Sequence, residues 1–181
     1  MLPLGHVAFT WARLTWLQRR GLARQVDYRA AAAAALLPDL IDKPISLTLL
    51  SHSGTTQGLA HTLLAHAAAT LATARCKPAW LPYALLFNAH LAADQMWKYP
   101  RTLFYPFSGR LDSWRYVGSP TAMFCAYAEI ITRPEILAVE LAGLVLLAWV
   151  AAAHRWHRPL NLRRLLFKGV VDLAYEEASC A

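Results

Sequence analysis

The sequence predicts an all-α fold, a polytopic membrane helical bundle of about four to six helices, some of them short or broken. Three observations lead to this prediction. Of the 181 residues, 57% are hydrophobic and only 16% are charged, whereas soluble domains have roughly 45–50% and 25%. The apolar residues form separate segments of about helical length. Arginines follow several of these segments in short clusters, as they do in the loops of membrane proteins.

The first two apolar segments differ in what they predict. Residues 2–17 have no basic residue ahead of them and arginines behind them, the reverse of a secretory signal peptide, so we expect an uncleaved helix with its N-terminus outside. The second segment begins near Arg29 and is expected to be interrupted by Pro38 after Leu37. At ~1.5 Å per residue this segment cannot cross a ~30 Å hydrocarbon core, so other helices should cover it.

The later segments complete the predicted domain. They cover residues 58–74, 78–97, 119–132 and the stretch from there to 153. Ser119 followed by Pro120 is typical of a helix start, with proline at the first helical position. Five Lys and Arg residues lie between 155 and 168. We therefore predict a membrane helical domain over residues 1–153 and a basic cytoplasmic C-terminal tail over 154–181.

Loop charge predicts the orientation and the partners. The loops around 19–29, 75–77 and 155–168 hold eleven Lys and Arg, and those around 43 and 98–133 hold six. The side with more positive charge is expected to face the cytoplasm. The net charge of +7 does not predict nucleic-acid binding, because the arginines form no single stripe. The expected partners are the lipid bilayer and other membrane proteins.

Six ionisable residues lie at the ends of predicted helices. If the chain crosses the membrane up and down, all six of these ends lie at the outer face of the bundle. Ionisable residues within membrane segments are costly and therefore mark candidate functional sites. The six are His6, Asp39, Asp42, His61, His90 and Asp94. His90 and Asp94 are four residues apart and share a helix face. Each residue alone has an ordinary structural interpretation as a cap, a turn or a solvated helix end, but their convergence favours a polar site.

The residue types of this cluster predict a divalent-metal site with all six as candidate ligands. Imidazole and carboxylate together suit zinc, manganese or iron better than calcium or magnesium. An open metal position lowers the pKa of bound water to about 7. Asp39 and Asp42 are the candidate catalytic residues, as general base or as partners of the histidines. His66 is five residues from His61 and off its face, so a core hydrogen bond is expected there.

Four motifs in order resemble a known family. They are Gly5-His6, Leu36 through Pro44, Gly58 through Leu64, and His90 through Asp94, and the stretch from Met96 to Pro106 is similar too. Over roughly residues 1–110 the chain resembles the bacterial and archaeal membrane-bound, metal-dependent hydrolases that include the LexA-regulated inner-membrane members. The resemblance implies a multi-pass inner-membrane protein with hydrolase activity. Thr56 and Gln57 replace a His-Arg pair of many members, and Lys43 follows Asp42 where a histidine is common.

Two functions remain open from the sequence. The first is an enzyme that hydrolyses an ester or phosphoester, such as that of a lipid, by metal-activated water at the outer membrane face. Lys98 and Arg101 lie on the same side and are able to hold a phosphate or to snorkel to the interface. The second is a non-catalytic membrane subunit of a larger complex, in which the His/Asp cluster is structural.

Overall fold

The computed structural model describes residues 1–48, 56–112 and 120–171, and all regular structure in these ranges is helical. The α-helices are α1 (Pro3–Arg19), α2 (Tyr28–Thr48), α3 (Leu63–Cys76), α4 (Leu81–Ala93), α5 (Pro100–Leu103), α6 (Pro120–Ile131), α7 (Pro134–Ala153) and α8 (Pro159–Lys168). Short 3-10 turns cover Leu59–His61, Pro78–Trp80 and Met96–Lys98. The all-α prediction is confirmed for these residues. Ser119 lies outside them.

Helix α2 is longer than the sequence predicted. It was expected to break at Pro38, but it continues through Pro38 and Pro44 to Thr48. A proline inside a helix removes one backbone donor, and neighbouring groups can compensate for that loss. Three residues before Pro38, the carbonyl of Ala35 accepts a 2.7 Å hydrogen bond from Nδ1 of His90, which joins this part of α2 to α4. The unbroken helix carries Asp39 and Asp42 into the candidate site.

Helix α7 is the helix, among the described residues, that is long and apolar enough to cross a membrane. Only 11% of its most apolar 18-residue window is buried within the protein. Most of its surface is therefore available to lipid. Helix α1 has 17 residues and α2 carries Asp39, Asp42 and Lys43 near its centre. Length and composition thus support one span here, and the multi-pass bundle stays a prediction.

The chain forms two compact units, Met1–Ala34 with Ala138–Ala181, and Ala35–Leu137. In the first unit α1 runs parallel to α7. Near its start, the backbone N–H groups of Leu2 and Gly5 donate to the carboxylate of Glu140 at 2.9 and 3.0 Å. At its end, Arg19 donates to the carbonyl of Ala153. The carboxylate at the N-terminus of α1 also compensates the positive end of the helix dipole.

A buried polar network joins the C-terminal part of α1 to the start of α2 and to the residue that follows α7. Oγ1 of Thr15 lies 3.1 Å from the hydroxyl of Tyr28 and 2.9 Å from Nε2 of His154. The Tyr28 hydroxyl donates to Gln18 at 2.8 Å. Thr15, Tyr28 and His154 are almost completely buried. Buried polar groups with such partners avoid the desolvation penalty and fix one packing arrangement.

Part of the predicted tail is the helix α8. Pro159 begins it and Gly169, with φ of 68°, ends it, which is the usual distribution of these residues. Arg29 donates to the carbonyls of Leu166 and Phe167 in the last turn of α8. Arg29 also pairs with Asp27 at 2.8 Å, and this hydrogen bond holds the pKa of Asp27 below its ordinary value. Residues 172–181 lie outside the described range, and the domain division at 153/154 stays a prediction.

In the second unit, α3 and α4 form a helical hairpin joined by the turn Pro78–Trp80. Asn88 on α4 donates to Oγ1 of Thr70 on α3 at 2.8 Å. The turn Leu59–His61 precedes α3, and Thr62 caps that helix by accepting from the backbone N–H of Ala65. This cap fixes where the turn ends and the helix begins. The hairpin and α2 together supply the site residues described next.

Candidate metal centre

Asp42 shapes the turn that presents His61. Its Oδ2 accepts the backbone N–H of Gly58 at 2.8 Å, and its Oδ1 accepts that of Ala60 at 3.0 Å. A Cβ at Gly58 would lie only 3.1 Å from Oδ1 of Asp42, so glycine permits this close approach. The aspartate is 1% exposed. Its charge is therefore balanced by buried donors rather than by water.

The same carboxylate orients the His61 ring. Nδ1 of His61 lies 2.6 Å from Oδ2 of Asp42, and the imidazole is completely buried. A carboxylate accepts hydrogen bonds, so Nδ1 is the donor and carries a proton. In the neutral ring Nε2 then has the lone pair. This is the arrangement by which a carboxylate typically fixes the tautomer of a metal-binding histidine.

His90 reaches the same point from α4 with the same tautomer. Its Nδ1 donates to the carbonyl of Ala35 at 2.7 Å, since a carbonyl oxygen only accepts. Its Nε2 lies 3.1 Å from Nε2 of His61. In neutral rings two lone pairs therefore face each other in a buried space. A second proton on one ring, shared as a hydrogen bond across the 3.1 Å, or a metal cation between the two nitrogen atoms relieves that repulsion.

Two carboxylates complete the group. Oδ1 of Asp39 lies 3.7 Å from Nε2 of His61 and 4.0 Å from Nε2 of His90. Oδ2 of Asp94 lies 3.7 and 3.5 Å from the same two atoms. All four ligand atoms lie within 4.8 Å of one another. Four ligands around zinc at ~2.1 Å would be about 3.4 Å apart, so these residues fit a divalent ion after small movements.

A lysine borders the group. Nζ of Lys43 lies 2.7 Å from Oδ2 of Asp39, four residues earlier on α2. The side chain of Lys43 is 23% exposed, while His61 and His90 are almost completely buried. Lys43 is thus the part of this cluster that extends from the buried group toward the surface. The sequence interpretation missed this contact, although the i,i+4 spacing of opposite charges on a helix indicates it.

His66 supports the turn from the other side, as expected for a core hydrogen bond. Its Nε2 lies 2.9 Å from the carbonyl oxygen of Ala60, and its Nδ1 lies 3.0 Å from Oδ1 of Asn88. Its ring stacks on Phe87 with centroids 4.0 Å apart. Ala60 is also held by Asp42. The turn before α3 is therefore fixed on both sides, which restricts the position of His61.

The predicted site residues thus fall into three groups. The structure brings together Asp39, His61, His90 and Asp94. Asp42 contacts Nδ1 of His61, on the opposite side of the ring from this group. His6 lies on α1 in the other compact unit, where it is 2% exposed. The ligand role of all six residues, and the catalytic role of Asp39 and Asp42, stay predictions.

One known protein family is similar to nearly the whole chain. A family model described as YdjM inner membrane protein matches residues 1–160. No curated protein and no solved structure matches the chain. The family match agrees with the family identity that the four motifs indicated. It gives no information about hydrolysis or about the metal.

Proposed function

The chain therefore belongs to the YdjM inner membrane protein family, and from this premise we propose that it is a multi-pass, metal-dependent hydrolase of an ester or phosphoester. The family description indicates an inner-membrane location. The bilayer is its proposed surrounding, and a lipid ester or phosphoester is the proposed substrate class. Zinc, manganese and iron are the proposed metals, because the ligands are imidazoles and carboxylates.

The observation that carries this proposal is the pair of opposed imidazole nitrogens. Nε2 of His61 and Nε2 of His90 are 3.1 Å apart, and the Nδ1 atoms of both rings already donate elsewhere. Two carboxylates face the same point. Two carboxylates and two imidazole nitrogens converge there, and when both rings are neutral a cation stabilises this buried set. Asp39, His61, His90 and Asp94 would hold that ion.

The surrounding residues have distinct roles in the proposed reaction. A divalent ion at such a site supplies Lewis acidity that makes water nucleophilic near neutral pH. Asp42 positions His61. Asp39 is the candidate general base, because one of its oxygens faces the histidines and the other contacts Nζ of the half-buried Lys43. Its carboxylate takes a proton from the attacking water and returns it to the leaving alcohol as the ester bond breaks. Lys43 attracts an anionic substrate.

Metal content tests the proposal. The full chain is purified from its membrane with zinc, manganese or iron supplied during expression, and bound metal per chain is measured by elemental analysis. We expect about one ion per chain in the unmodified protein and its loss in His90→Ala. His157→Ala is the matched control, because His157 is exposed and lies in the other unit. Absence of metal in the unmodified protein under all three supplies would overturn both the site and the hydrolase proposal.

A non-catalytic subunit is the second candidate, and the burial of His61 and His90 favours it. A metal that only joins α2, α4 and the turn Leu59–His61 needs no access for substrate. The two candidates differ in turnover of the metal-loaded protein. Hydrolysis of p-nitrophenyl esters or phosphodiesters that disappears in His90→Ala supports the enzyme. A metal that raises the melting temperature without any turnover supports the subunit.

A further inference from the structure

An apolar groove lies between α1 and α7 in the first unit, separate from the metal centre. Its volume is about 650 Å³. The residues that define it are Phe9, Arg13, Trp16, Val145, Leu146 and Trp149. The guanidinium of Arg13 is the charged group in an otherwise apolar wall. An apolar wall with one cationic group suits a hydrocarbon chain that carries an anionic group near one end.

The position of the groove along the helices indicates what surrounds it. Helix α1 runs parallel to α7, the candidate membrane span. Val145 is 69% exposed and Trp16 is 48% exposed. Val145 lies on the candidate span itself, where an exposed apolar side chain is expected to face lipid rather than water. Acyl chains are therefore the molecules that the groove meets in its native setting.

A stripe of cationic and aromatic residues on α1 follows the groove. Phe9, Arg13, Trp16 and Arg20 are spaced by four, three and four residues, which places them on one helix face. The guanidinium carbon of Arg20 lies 5.4 Å from the centre of the Trp16 ring, a cation–π contact. The stripe thus places two positive charges along the lipid-exposed face, at the end of α1 that the sequence orients toward the cytoplasm.

Within the part of the first unit that the structure describes, no carboxylate pairs with Arg13 or Arg20. No aspartate or glutamate occurs in residues 1–26 or 141–171. Of the flanking acids that the structure describes, Asp27 pairs with Arg29 and Glu140 accepts the N–H groups of Leu2 and Gly5. Anionic lipids of the cytoplasmic leaflet attract such positive charges. Charge complementarity therefore favours an anionic lipid over a zwitterionic one.

We propose that the groove binds an anionic phospholipid, with one acyl chain between Trp16 and Val145 and the phosphate held by Arg13 and Arg20. Arg13 gives the headgroup preference and the apolar wall gives the affinity for the chain. The site lies on the cytoplasmic half of α1 and is independent of the metal centre. Occupancy of the groove in the first unit would therefore depend on the fraction of anionic lipid in the membrane.

Native mass spectrometry tests the groove. The full chain is released from micelles with equal amounts of phosphatidylglycerol and phosphatidylcholine, and the ratio of the two retained lipids is measured. A charge near the membrane surface contributes ~1 kcal/mol, so Arg13→Gln should lower the preference for phosphatidylglycerol about fivefold. Arg13→Lys keeps the charge and should retain most of the preference. Arg24→Gln is the matched control, because it removes the same charge beyond the end of α1, and it should change the ratio less than twofold.

A second variant tests the apolar wall. Val145→Trp fills the groove from an exposed position and should remove retained lipid of both kinds, while circular dichroism shows unchanged helix content. Equal effects of Arg13→Gln and Arg24→Gln would show a general charge effect and overturn the site. No lipid preference in the unmodified chain, or retention by Val145→Trp at the unmodified level, would also overturn it. A dimer that Val145→Trp abolishes would assign the groove to a second copy instead.

Discussion

Asp42→Asn should weaken metal binding without removing any atom from the ligand group. In the native protein the carboxylate accepts three buried hydrogen bonds, from the backbone of Gly58 and Ala60 and from Nδ1 of His61. Asparagine keeps the shape but has one acceptor oxygen and one donor NH₂ group. If the oxygen stays with Ala60, the NH₂ group faces two donors. The repulsion between the NH₂ group and Nδ1–H of His61 is relieved when the proton of His61 moves from Nδ1 to Nε2.

That tautomer change removes the lone pair that faces His90. Loss of a group that orients a metal-binding histidine typically lowers affinity by 10–100-fold, which corresponds to about 1.4–2.8 kcal/mol. The buried N–H of Gly58 also loses its acceptor, at a cost of roughly 1–3 kcal/mol in folding stability. We therefore expect weaker metal binding together with a lower melting temperature of the metal-free protein.

Competition with a chelator measures the metal affinity, and thermal unfolding of the metal-free protein measures the stability. Asp112→Asn is the matched control in the same unit. Asp112 also accepts a backbone N–H, that of Thr102 at 3.0 Å, but it is not part of the group of candidate ligands. Asp112→Asn should lower stability and leave the affinity unchanged. Native affinity in Asp42→Asn would refute the positioning role of Asp42.

Three further predictions concern the helix contacts and the orientation. Glu140→Gln should lower the melting temperature by several degrees, because the charge that compensates the N-terminus of α1 is lost, whereas Glu129→Gln on the exposed surface should have little effect. Thr15→Val should destabilise the protein by about 2 kcal/mol, because the Tyr28 and His154 side chains each lose a buried hydrogen-bond partner, and denaturant unfolding measures that loss. Ser51→Cys, in a chain whose own cysteines are serine, should react with an impermeant thiol reagent in intact cells; reaction only after lysis would reverse the predicted orientation.

The sequence predicted the residue types of the site better than the path of the backbone. His61, His90 and Asp94 could be selected because ionisable residues are rare in apolar segments, and the spacing of His90 and Asp94 already gave a shared helix face. The extent of α2 could not be predicted in this way. Local preference before Pro38 favours a break, while the contacts of α2 with the rest of its unit, such as His90 to Ala35, join residues distant in sequence.

The sequence also could not show which aspartate faces the candidate metal position and which one positions His61. Asp39 and Asp42 are three residues apart and had equivalent chemistry there. The structure separates them because residues 58–61 fold around Asp42, whose two oxygens are used by Gly58, Ala60 and His61. Asp39 directs one oxygen to the histidines instead. Only the backbone of a turn sixteen or more residues away decides between these roles.

Lys43 gives the clearest way to separate an enzyme from a structural metal site. Its Nζ lies 2.7 Å from Oδ2 of Asp39, so it competes with a metal for that carboxylate. At roughly 6 Å and with the dielectric constant of water, a +1 and a +2 charge repel by about 1.4 kcal/mol, a factor of ten in affinity.

A structural site gains nothing from this cation, whereas a site for an anionic phosphoester gains attraction for its substrate. Lys43→Gln should therefore tighten metal binding by on the order of tenfold. It should also raise the KM of the metal-loaded protein for an anionic phosphodiester, while the KM for a neutral ester stays nearly unchanged. Equal effects on both substrates would remove Lys43 from substrate recognition, and tighter metal binding with no turnover of either would favour the subunit.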